Sequence, residues 1–402
     1  MTLALHGGTP VRQTPYPSWP QFGAAEETAL LRSLHQGQWW RMQGNENLNF
    51  EKAFAQLHGA HSAFAVANGT VAIEIALQAA GIVAGDEVIV PAFTFISTSM
   101  ACQRIGAIAI PVDVLPDTLC IDPAAVEANI GLRTRAIIPV HMSGHMCDMV
   151  SLLSIADRHQ LVIIQDAAHA HGARGYGDTG IGEYGTLACF SFQNFKLMTA
   201  GEGGLVLCPN EELREKVFLY GNCGRPQGDR SYQHTVVGTN ARLSEFSAAV
   251  LSAQLTRLDF QTQARQRNAA LLFEVLQRSG LVTPQARTED AHTHPYYMFV
   301  FTLNTPSGQA QWDRNQVVEA LIAEGIPAFR TYQALYRIPS FWQPPAPSRH
   351  DLAHYIGACP VSEQVAQHGI WIHHRALLGN EQDTLDIATA ITKVLTLLAN
   401  EP

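Results

Sequence analysis

The sequence predicts an α/β fold, with a large domain built on a mostly parallel sheet and a smaller C-terminal α+β domain. Two observations predict it. Short apolar stretches alternate with amphipathic ones from residue 62 to residue 208, which is typical of parallel strands and their crossover helices. After long helical stretches over 242–280, strand and helix patterns mix without that alternation. We expect the large domain to span residues 1–260 and the small domain residues 261–402.

The elements are predicted in order along the chain. Apolar residues at helical spacing predict a helix over 24–36, then a loop over 37–49 and a short helix over 50–59 that ends at a glycine. Apolar runs predict strands, with helices between them, at 62–67, 86–91, 107–114, 135–140 and 161–166. Two more strands, 187–192 and 203–208, flank a lysine-bearing loop. In the C-terminal part, 296–303 is a predicted strand and 315–325 a predicted helix.

Composition excludes several classes of protein. Of 402 residues, 47% are hydrophobic and 15% charged, which excludes a disordered chain and favours an oligomeric interface. The net charge of -9 disfavours nucleic acids and anionic membranes as partners. The N-terminus lacks a signal-peptide pattern, and no stretch is apolar enough to span a bilayer. Seven scattered cysteines without a CxxC pair favour reduced thiols, so we expect a cytoplasmic protein.

One of the four lysines stands in unusual surroundings. Lys52 and Lys216 lie beside acidic residues on predicted solvent-facing helices, and Lys393 lies near the end of the last helix, where a cation suits the helix dipole. Lys196 instead lies between aromatic residues and a glycine-rich turn, in FSFQNFKLMTAGEGG (190–204). An amine in apolar surroundings loses hydration, which lowers its pKa and makes it a usable nucleophile or base. We therefore predict a catalytic role for Lys196.

Two polar features follow predicted buried strands. Asp166 ends LVIIQD, at the edge where open α/β sheets bind ligands. A buried carboxylate there needs a cationic partner, although capping of the next turn is an equally good interpretation of Asp166 alone. Gly69 and Thr70 open a helix directly after a strand, so their free amides and the hydroxyl form a predicted anion site. Many strand-to-helix loops share that pattern.

Two further residues complete a set. Ser191, five residues before Lys196, offers a hydroxyl to the same anion. Phe95 follows another strand end, where its ring either lies flat against a planar group or packs in the core. An isolated amine, a strand-end carboxylate, a stacking ring and a phosphate site are together what pyridoxal 5'-phosphate requires. We therefore predict this cofactor.

Two other patterns are weaker. GIGEYG (180–185) matches the dinucleotide-binding glycine pattern in form, but it follows no hydrophobic strand and opens no clear helix, which favours a tight turn. Seventeen histidines include the pairs His141 with His145 and His373 with His374. None has the HExxH or paired CxxC spacing of metal sites, so we expect no metal.

The motifs resemble those of the DegT/DnrJ/EryC1/StrS family of fold-type I, pyridoxal-phosphate-dependent aminotransferases, over nearly the whole chain. Within that family the chain is most similar to the 3-amino-5-hydroxybenzoate synthases. The resemblance implies the fold of aspartate aminotransferase. The segments that carry it are QGQWWRM (36–42), PAFTFIS (91–97), IPVHMSGHMCDM (138–149), QDAAHAHGAR (165–174), SFQNFKLMTAGEGG (191–204), CGRP (223–226) and WIHHRALL (371–378).

The resemblance implies a role for each residue that matches a family motif around the cofactor ring. Lys196 is implied as the residue that forms a Schiff base with pyridoxal phosphate, and Asp166 as the partner of the pyridine nitrogen. Phe95 is implied to stack on the ring. His169 is implied beside the ring hydroxyl.

The phosphate end of the cofactor is implied to be shared between two chains. Gly69, Thr70 and Ser191 match the residues that hold the phosphate. Asn240, in VGTNARLSEFSAAV (237–250), matches an asparagine that reaches the phosphate from the other subunit. The resemblance therefore implies a homodimer whose active sites are built from both subunits.

Substrate residues are less sharply indicated than cofactor residues. Arg41, in the WWRMQG loop, is a candidate for binding a substrate carboxylate, with plain solvent exposure as the alternative. His374 and Arg375 are candidates for the border of a pocket that takes a small ring substrate. These three residues are expectations that the fold must test.

Two reactions fit the resemblance. The subgroup motifs favour dehydration and aromatisation of an amino-dehydroshikimate, and the WWRMQG loop favours a ring substrate without a nucleotide. The N-terminal segment LALHGGTPVRQTPYP (3–17) favours the alternative, which transfers an amino group from glutamine or glutamate to a keto-cyclitol or keto-sugar. A third possibility, a non-catalytic partner protein that binds the cofactor, is opposed by the retained lysine, carboxylate and phosphate residues.

Overall fold

A seven-stranded sheet forms the centre of the computed structural model, which describes residues 2–304, 312–344 and 348–399. Its spatial order is β1-β7-β6-β5-β4-β2-β3, and every neighbouring pair is parallel except the two that involve β7. The predicted α/β class and mostly parallel sheet are confirmed. The strands are β1 (Ser62–Val66), β2 (Glu87–Pro91), β3 (Ile108–Val112), β4 (Thr134–Ile137), β5 (Val162–Asp166), β6 (Leu187–Ser191) and β7 (Gly204–Cys208).

Helices connect these strands and cover the sheet, so its strands are buried on both faces and appear in the sequence as continuous apolar runs. No helix of the described residues is both long and apolar enough to cross a membrane. The α-helices up to residue 279 are α1 (Ala24–Gln36), α2 (Glu46–Leu57), α3 (Gly69–Ala79), α4 (Ser97–Arg104), α5 (Pro123–Ala128), α6 (Met149–His159), α7 (Glu211–Gly221), α8 (Glu245–Leu255) and α9 (Leu258–Ser279).

Helix α2 begins four residues before the predicted start at residue 50. The first backbone amides of a helix have no partner within it and need an external acceptor. The carboxylate of Glu245 supplies it, accepting from the Glu46 amide at 2.6 Å and from the Asn47 amide at 3.4 Å. Because that acceptor lies about 200 residues away in the sequence, local spacing gave no sign of it.

A second, four-stranded antiparallel sheet of order β10-β11-β9-β8 lies in the C-terminal part. It packs with the C-terminal helices around a separate hydrophobic core, which confirms the expected smaller α+β layer. Helix α9 runs through residues 260 and 261, so the domain boundary there stays a prediction. The elements are β8 (Val282–Pro284), β9 (Met298–Leu303), α10 (Arg314–Ala323), β10 (Ala328–Arg330), α11 (Leu352–Ala358), α12 (Pro360–His368), β11 (Gly369–His373) and α13 (Glu381–Leu398).

The N-terminal segment packs against this second core and not against the large sheet. Leu3 and Tyr16 belong to the same buried cluster as α10, β11 and α13. Arg12 forms ion pairs of 2.7 and 2.9 Å with Asp383 and Asp386 of α13. By its contacts, therefore, the first part of the chain belongs with the C-terminal layer.

Lys393 has a different partner from the helix dipole that the sequence suggested. Its amine lies 2.8 Å from the carboxylate of Glu324, which is fully buried and also accepts hydrogen bonds from the Ala4 and Val11 amides. A buried carboxylate requires such donors. Lys393 therefore helps to hold the N-terminal segment on the second core.

Candidate active site

A cavity of about 840 Å³ lies at the carboxyl ends of β5 and β6, beside the start of α3, and is walled on its other side by β10 and β11. Seven of the predicted cofactor residues line it: Gly69, Thr70, Phe95, Asp166, His169, Ser191 and Lys196. The other lining residues are Asn68, Val71, Ile73, Thr94, Ser97, Val140, Ala168, Gln193, Phe195, Glu202, Tyr297, Phe329, Tyr332, Trp371 and His373.

Lys196 presents an amine without an ionic partner. Its backbone amide donates to the Gln193 carbonyl at 2.8 Å in the turn after β6, and its amine lies 4.4 Å from the centre of the Tyr297 ring. Within the described chain the amine has neither an ion pair nor a hydrogen bond, whereas the amines of Lys216 and Lys393 are paired with Glu212 and Glu324. Lys196 therefore offers a free nitrogen to the cavity.

Asp166 is a buried acid at the last position of β5. The Thr98 hydroxyl donates to one carboxylate oxygen at 2.9 Å, and the Ala168 amide donates to the other at 3.2 Å. Burial raises the pKa of Asp166 above its ordinary value; those two donors and the charge of Lys196 lower it but do not offset the burial. No cation lies within ion-pair distance of the carboxylate in the described residues, so a cationic group in the cavity would stabilise its charged form.

The start of α3 forms a cradle of backbone amides. Asn68 caps the helix, its side-chain oxygen accepting from the Val71 amide at 2.9 Å, which leaves the amides of Gly69 and Thr70 without helical partners. A Cβ atom at Gly69 would lie 2.7 Å from the Cβ of Ser191, so only glycine fits against the end of β6. The Ser191 and Thr70 hydroxyls lie on the same lining, and the arrangement suits a phosphate.

His169 is held between aromatic side chains. Its ring stacks on Tyr297 at 4.3 Å between centres, and Tyr332 lies 6.3 Å away in nearly parallel orientation. Burial, with the positive charge of Lys196 second, lowers the pKa of His169 well below its ordinary value, so the ring is neutral. Its Nδ1 atom is buried without a hydrogen-bond partner in the described residues. Phe95 is half exposed and lies 5.8 Å from Tyr332.

Arg41 does not reach the cavity, and the alternative of plain solvent exposure is also wrong. The residue is only 6% exposed, and its guanidinium forms an ion pair of 2.6 Å with Glu51. It also donates to the Ala65 carbonyl at 3.0 Å and lies over the Phe64 ring at 3.9 Å. With its charge neutralised in the interior, the side chain has no free face for a substrate carboxylate.

His374 and Arg375 are likewise absent from the cavity wall, whereas His373 lines it. Successive side chains of a strand point to opposite faces. Trp371 and His373 of β11 therefore share the cavity face, and Ile372 between them is fully buried on the other face. His374 begins the following turn and supports the lysine loop from behind, because its Nε2 hydrogen-bonds the Phe195 carbonyl at 2.9 Å.

Asn240 lies on the exposed surface, away from the cavity of its own chain. Its backbone pairs with Asn222 in an isolated antiparallel bridge, which fixes the loop before α8. Its predicted contact with the phosphate of another subunit stays a prediction.

Sequence reasoning missed the aromatic residues of the second wall. They are Tyr297, Phe329, Tyr332 and Trp371, and they lie on β10, on β11 and in the loops beside β9 and β10. Phe329 and Trp371 stack at 4.6 Å across the β10–β11 pair. The signal available in the sequence was the alternation in GIWIH (369–373). It shows which side chains share a face of β11, but it does not show which face meets the lysine loop.

The histidine pairs do not form a metal cluster. His141 is fully buried and hydrogen-bonds Gln165 at 2.9 Å, while the Nδ1 of His145 hydrogen-bonds the Met146 carbonyl at 2.7 Å. Burial lowers the pKa of His141 to about 4. In the described parts of the chain, no group of three or more histidine, cysteine or acidic residues has a metal-binding arrangement.

Known proteins are similar to this chain in sequence and in fold. A model of the DegT/DnrJ/EryC1/StrS aminotransferase family matches residues 22–392. The 3-amino-5-hydroxybenzoate synthase of Amycolatopsis mediterranei (strain S699) is 47% identical over 370 residues, covering 92% of this chain and 94% of that protein. The L-glutamine:2-deoxy-scyllo-inosose aminotransferase of Streptomyces paromomycinus is 37% identical over 418 residues, covering 98% of this chain and 97% of that protein.

A solved structure extends the comparison to three dimensions. The crystal structure of a 3-amino-5-hydroxybenzoic acid synthase matches with a TM-score of 0.92 and 45% identity, covering 96% of this chain and 100% of that chain. The expected fold-type I architecture is thereby confirmed. The chain belongs to the DegT/DnrJ/EryC1/StrS aminotransferase family and is a pyridoxal-phosphate-dependent enzyme.

Proposed function

We propose that this enzyme dehydrates and aromatises an amino-dehydroshikimate to 3-amino-5-hydroxybenzoate. The observation that carries the proposal is the wall opposite the lysine, where Phe329, Tyr332 and Trp371 present aromatic surface. Such a wall suits a flat, partly unsaturated ring, whereas a polyhydroxylated ring needs a hydrogen-bond partner for each buried hydroxyl. The synthase relative, at 47% identity, supports the same reaction.

The lining residues fit pyridoxal phosphate. The amine of Lys196 is unpaired, burial raises the pKa of Asp166, and the Gly69 cradle has room only for backbone beside Ser191. A pyridinium, an aldehyde carbon and a phosphate would meet those three features. We assign the cofactor to Lys196 at the aldehyde, Asp166 at the ring nitrogen, Phe95 and His169 at the ring, and Gly69, Thr70 and Ser191 at the phosphate.

Lys196 is the residue that moves protons in this proposal. When bound, pyridoxal phosphate supplies an aldehyde that takes the substrate nitrogen and a ring that withdraws electrons from the neighbouring carbon. Displaced by that nitrogen, the Lys196 amine accepts a proton from a substrate ring carbon. The resulting ammonium returns a proton to the hydroxyl on the adjacent carbon. That hydroxyl then leaves as water. The remaining double bonds rearrange into an aromatic ring.

The surrounding side chains maintain the conditions for this chemistry. The Thr98 hydroxyl and the Ala168 amide orient both carboxylate oxygens of Asp166, and a protonated cofactor nitrogen beside them would favour the charged carboxylate. The neutral His169 ring, stacked on Tyr297, adds no positive charge beside Lys196.

The second candidate is an aminotransferase that moves an amino group from glutamine or glutamate to a keto-cyclitol. The 37%-identical inosose aminotransferase relative favours it, and the same lysine would serve it. The two reactions differ in what they need and release, since amino transfer would require a second substrate that accepts the nitrogen, whereas dehydration requires none. Product analysis therefore separates the two reactions.

The proposal includes a homodimer. Asn240 is exposed and outside its own cavity, which leaves it free to complete the phosphate site of a second copy.

The seven cysteines are all unpaired, six of them buried. That supports the cytoplasm as the compartment in which the enzyme works, since thiols stay reduced there.

The test begins with the purified protein and its Lys196→Ala variant. We expect the wild type to show visible absorbance that borohydride locks onto Lys196, and to convert an amino-dehydroshikimate to 3-amino-5-hydroxybenzoate. Loss of the amine should lower turnover by about 1000-fold or more. Lys216→Ala is the matched control, because that lysine is paired with Glu212 on the surface.

The outcomes separate the candidates. Aromatic product, together with no conversion of the cofactor to its pyridoxamine form by glutamine, supports the synthase. Pyridoxamine formation and amination of a keto-cyclitol, without aromatic product, would replace it with the aminotransferase. Substantial turnover by the Lys196→Ala variant would contradict the assignment of the base in either case.

A further inference from the structure

His373 is a polar side chain in an otherwise aromatic part of the cavity wall. Its ring centre lies 5.8 Å from Phe195, 6.0 Å from Trp371 and 6.2 Å from Phe329. The residue is 3% exposed, so its ring is packed among its neighbours. No motif in the sequence singled it out from His374, and the mechanism above leaves it unused.

The hydrogen bonds of His373 determine which nitrogen carries the proton. The Arg375 amide donates to Nδ1 at 3.2 Å, so Nδ1 is an acceptor. Burial, with the charge of Arg375 second, lowers the pKa of His373 to about 4, so the ring is neutral at neutral pH. A neutral imidazole whose Nδ1 accepts must carry its hydrogen on Nε2. Nε2 has no hydrogen-bond partner within the described chain and is therefore a free donor on a residue that lines the cavity.

The charges around the cavity leave a ring carboxylate without an evident partner. Among the lining residues that the structure describes, Lys196 is the one cation, and its amine is committed to the chemistry; the other charged residues, Asp166 and Glu202, are acids. The arginine that the sequence suggested, Arg41, is buried against Glu51. Of the groups that this chain supplies, a carboxylate in the cavity would therefore be met by neutral donors.

We propose that His373 binds the carboxylate of the ring substrate by donating a hydrogen bond from Nε2. The inference rests on the proposed function, because it concerns the substrate of that same site. It names the acid group as the feature that His373 recognises, and it makes the residue a determinant of specificity for carboxylated rings over cyclitols, which carry no acid.

The cavity tyrosines are less suited to that task. Tyr297 stacks on His169 and lies under the Lys196 amine, so it faces the cofactor side of the cavity. Tyr332 is also aligned with His169. A phenol hydroxyl rotates and both donates and accepts, whereas His373 offers only a donor at Nε2. Tyr332→Phe is therefore a suitable comparison variant.

The experiment measures equilibrium binding to the holoenzyme of 3-amino-5-hydroxybenzoate and of 3-aminophenol, the same ring without its carboxylate. We expect the wild type to bind the acid more tightly. His373→Leu should weaken binding of the acid by about 10- to 100-fold, which is typical of a lost hydrogen bond to a charged group. It should leave the affinity for the phenol within about threefold, because the phenol makes no such bond.

Two further variants and two control measurements make the test decisive. His373→Gln, which keeps an amide donor, should recover most of the preference for the acid, and Tyr332→Phe should keep it. Visible absorbance of the lysine-bound cofactor and the melting temperature show that each variant is folded and loaded. If His373→Leu keeps the wild-type preference for the acid, or loses affinity equally for both rings, the role proposed for His373 is wrong, but the proposed synthase function is unaffected. A wild type that does not prefer the acid would contradict both the role of His373 and the synthase function.

Discussion

At the scale of single residues, the buried charges of this enzyme differ in whether an opposite charge lies beside them. Arg41 and Glu51 are both buried and lie 2.6 Å apart, so each neutralises the other. Asp166 is as deeply buried but receives only a hydroxyl and an amide. A carboxylate left in that state destabilises the folded chain unless a cation arrives. The contrast separates a structural ion pair from a binding group.

Asp166→Asn should therefore change stability and cofactor binding in opposite directions. The unfolded chain releases the Asp166 proton near its ordinary pKa of 3.8, whereas burial raises the pKa in the folded state. The folded cofactor-free protein thus holds the proton more tightly, and its stability falls as the pH rises from 3.8 through the raised pKa. Asn cannot ionise, so the cofactor-free variant should melt at a higher temperature than wild type at neutral pH.

The same substitution removes the charge that faces the cofactor nitrogen. Cofactor affinity should fall by about 10- to 100-fold, as for the loss of a charge-assisted hydrogen bond. Thermal unfolding of the cofactor-free proteins across acidic and neutral pH, and titration with pyridoxal phosphate, measure the two effects. The melting curves of the two proteins should converge in strong acid. A variant that melts lower at neutral pH, or binds the cofactor as wild type does, would contradict this account of Asp166.

At the scale of elements, helix and strand ends carry the site. Helix α3 starts at Gly69 because Asn68 caps it, and its first free amides face the cavity. Strands β5 and β6 end at Asp166 and Ser191 on the same edge of the sheet. Parallel strands place their carboxyl ends together. Gly69 therefore lies close to Asp166, Ser191 and Lys196, although it is about 100 residues or more from them in the sequence.

Gly69→Ala tests the cradle at this scale. The added Cβ would lie 2.7 Å from the Ser191 Cβ, so α3 and β6 must move apart. We expect affinity for pyridoxal phosphate to fall at least about tenfold and the free energy of unfolding to fall by about 1–3 kcal/mol, the usual effect of overpacking. Cofactor titration and denaturant unfolding measure these changes.

Gly357→Ala is the matched control for that substitution, because no atom lies within 4 Å of an added Cβ there and the glycine is in helix α11. It should leave cofactor affinity unchanged and preserve or slightly raise stability. Wild-type affinity in the Gly69→Ala protein would show that the phosphate lies elsewhere.

At the scale of the whole molecule, the cavity belongs to two layers. One wall comes from the ends of the seven-stranded sheet, and the other from β10 and β11 of the second sheet. The N-terminal segment is anchored to the second layer through Arg12 with α13 and through Glu324 with Lys393. The position of Asn240 on the outer surface leaves a third contribution, from another copy, as a prediction.

Mixed dimers test that contribution. Lys196→Ala and Asn240→Ala subunits should each form weakly active homodimers. If Asn240 serves the partner's phosphate, a mixed dimer contains one site with an intact Lys196 and an intact Asn240, and coexpression should restore up to about half of wild-type turnover per dimer. Activity of differently tagged, co-purified dimers is the measurement. No gain over the Asn240→Ala homodimer would place that residue's role within its own chain or outside the site.

Local patterns in the sequence were enough to predict the α/β class and the cofactor side of the site. Apolar runs marked the buried strands, and Gly69, Asp166, Ser191 and Lys196 stand at their ends or shortly after them. The rules that connect such positions to function are local, since the end of a strand or the start of a helix exposes the same groups wherever it occurs.

Only the tertiary structure decided the substrate side. Arg41 was a candidate for the substrate carboxylate, but Glu51 pairs with it in the interior, and His374 was a candidate for the pocket border, but strand β11 turns His373 to the cavity instead. The start of α2 likewise depends on Glu245. These outcomes depend on contacts between segments that are far apart in the chain. The free energy of burying a charge or a ring depends on the neighbours that folding brings to it, and a local sequence pattern does not show those neighbours.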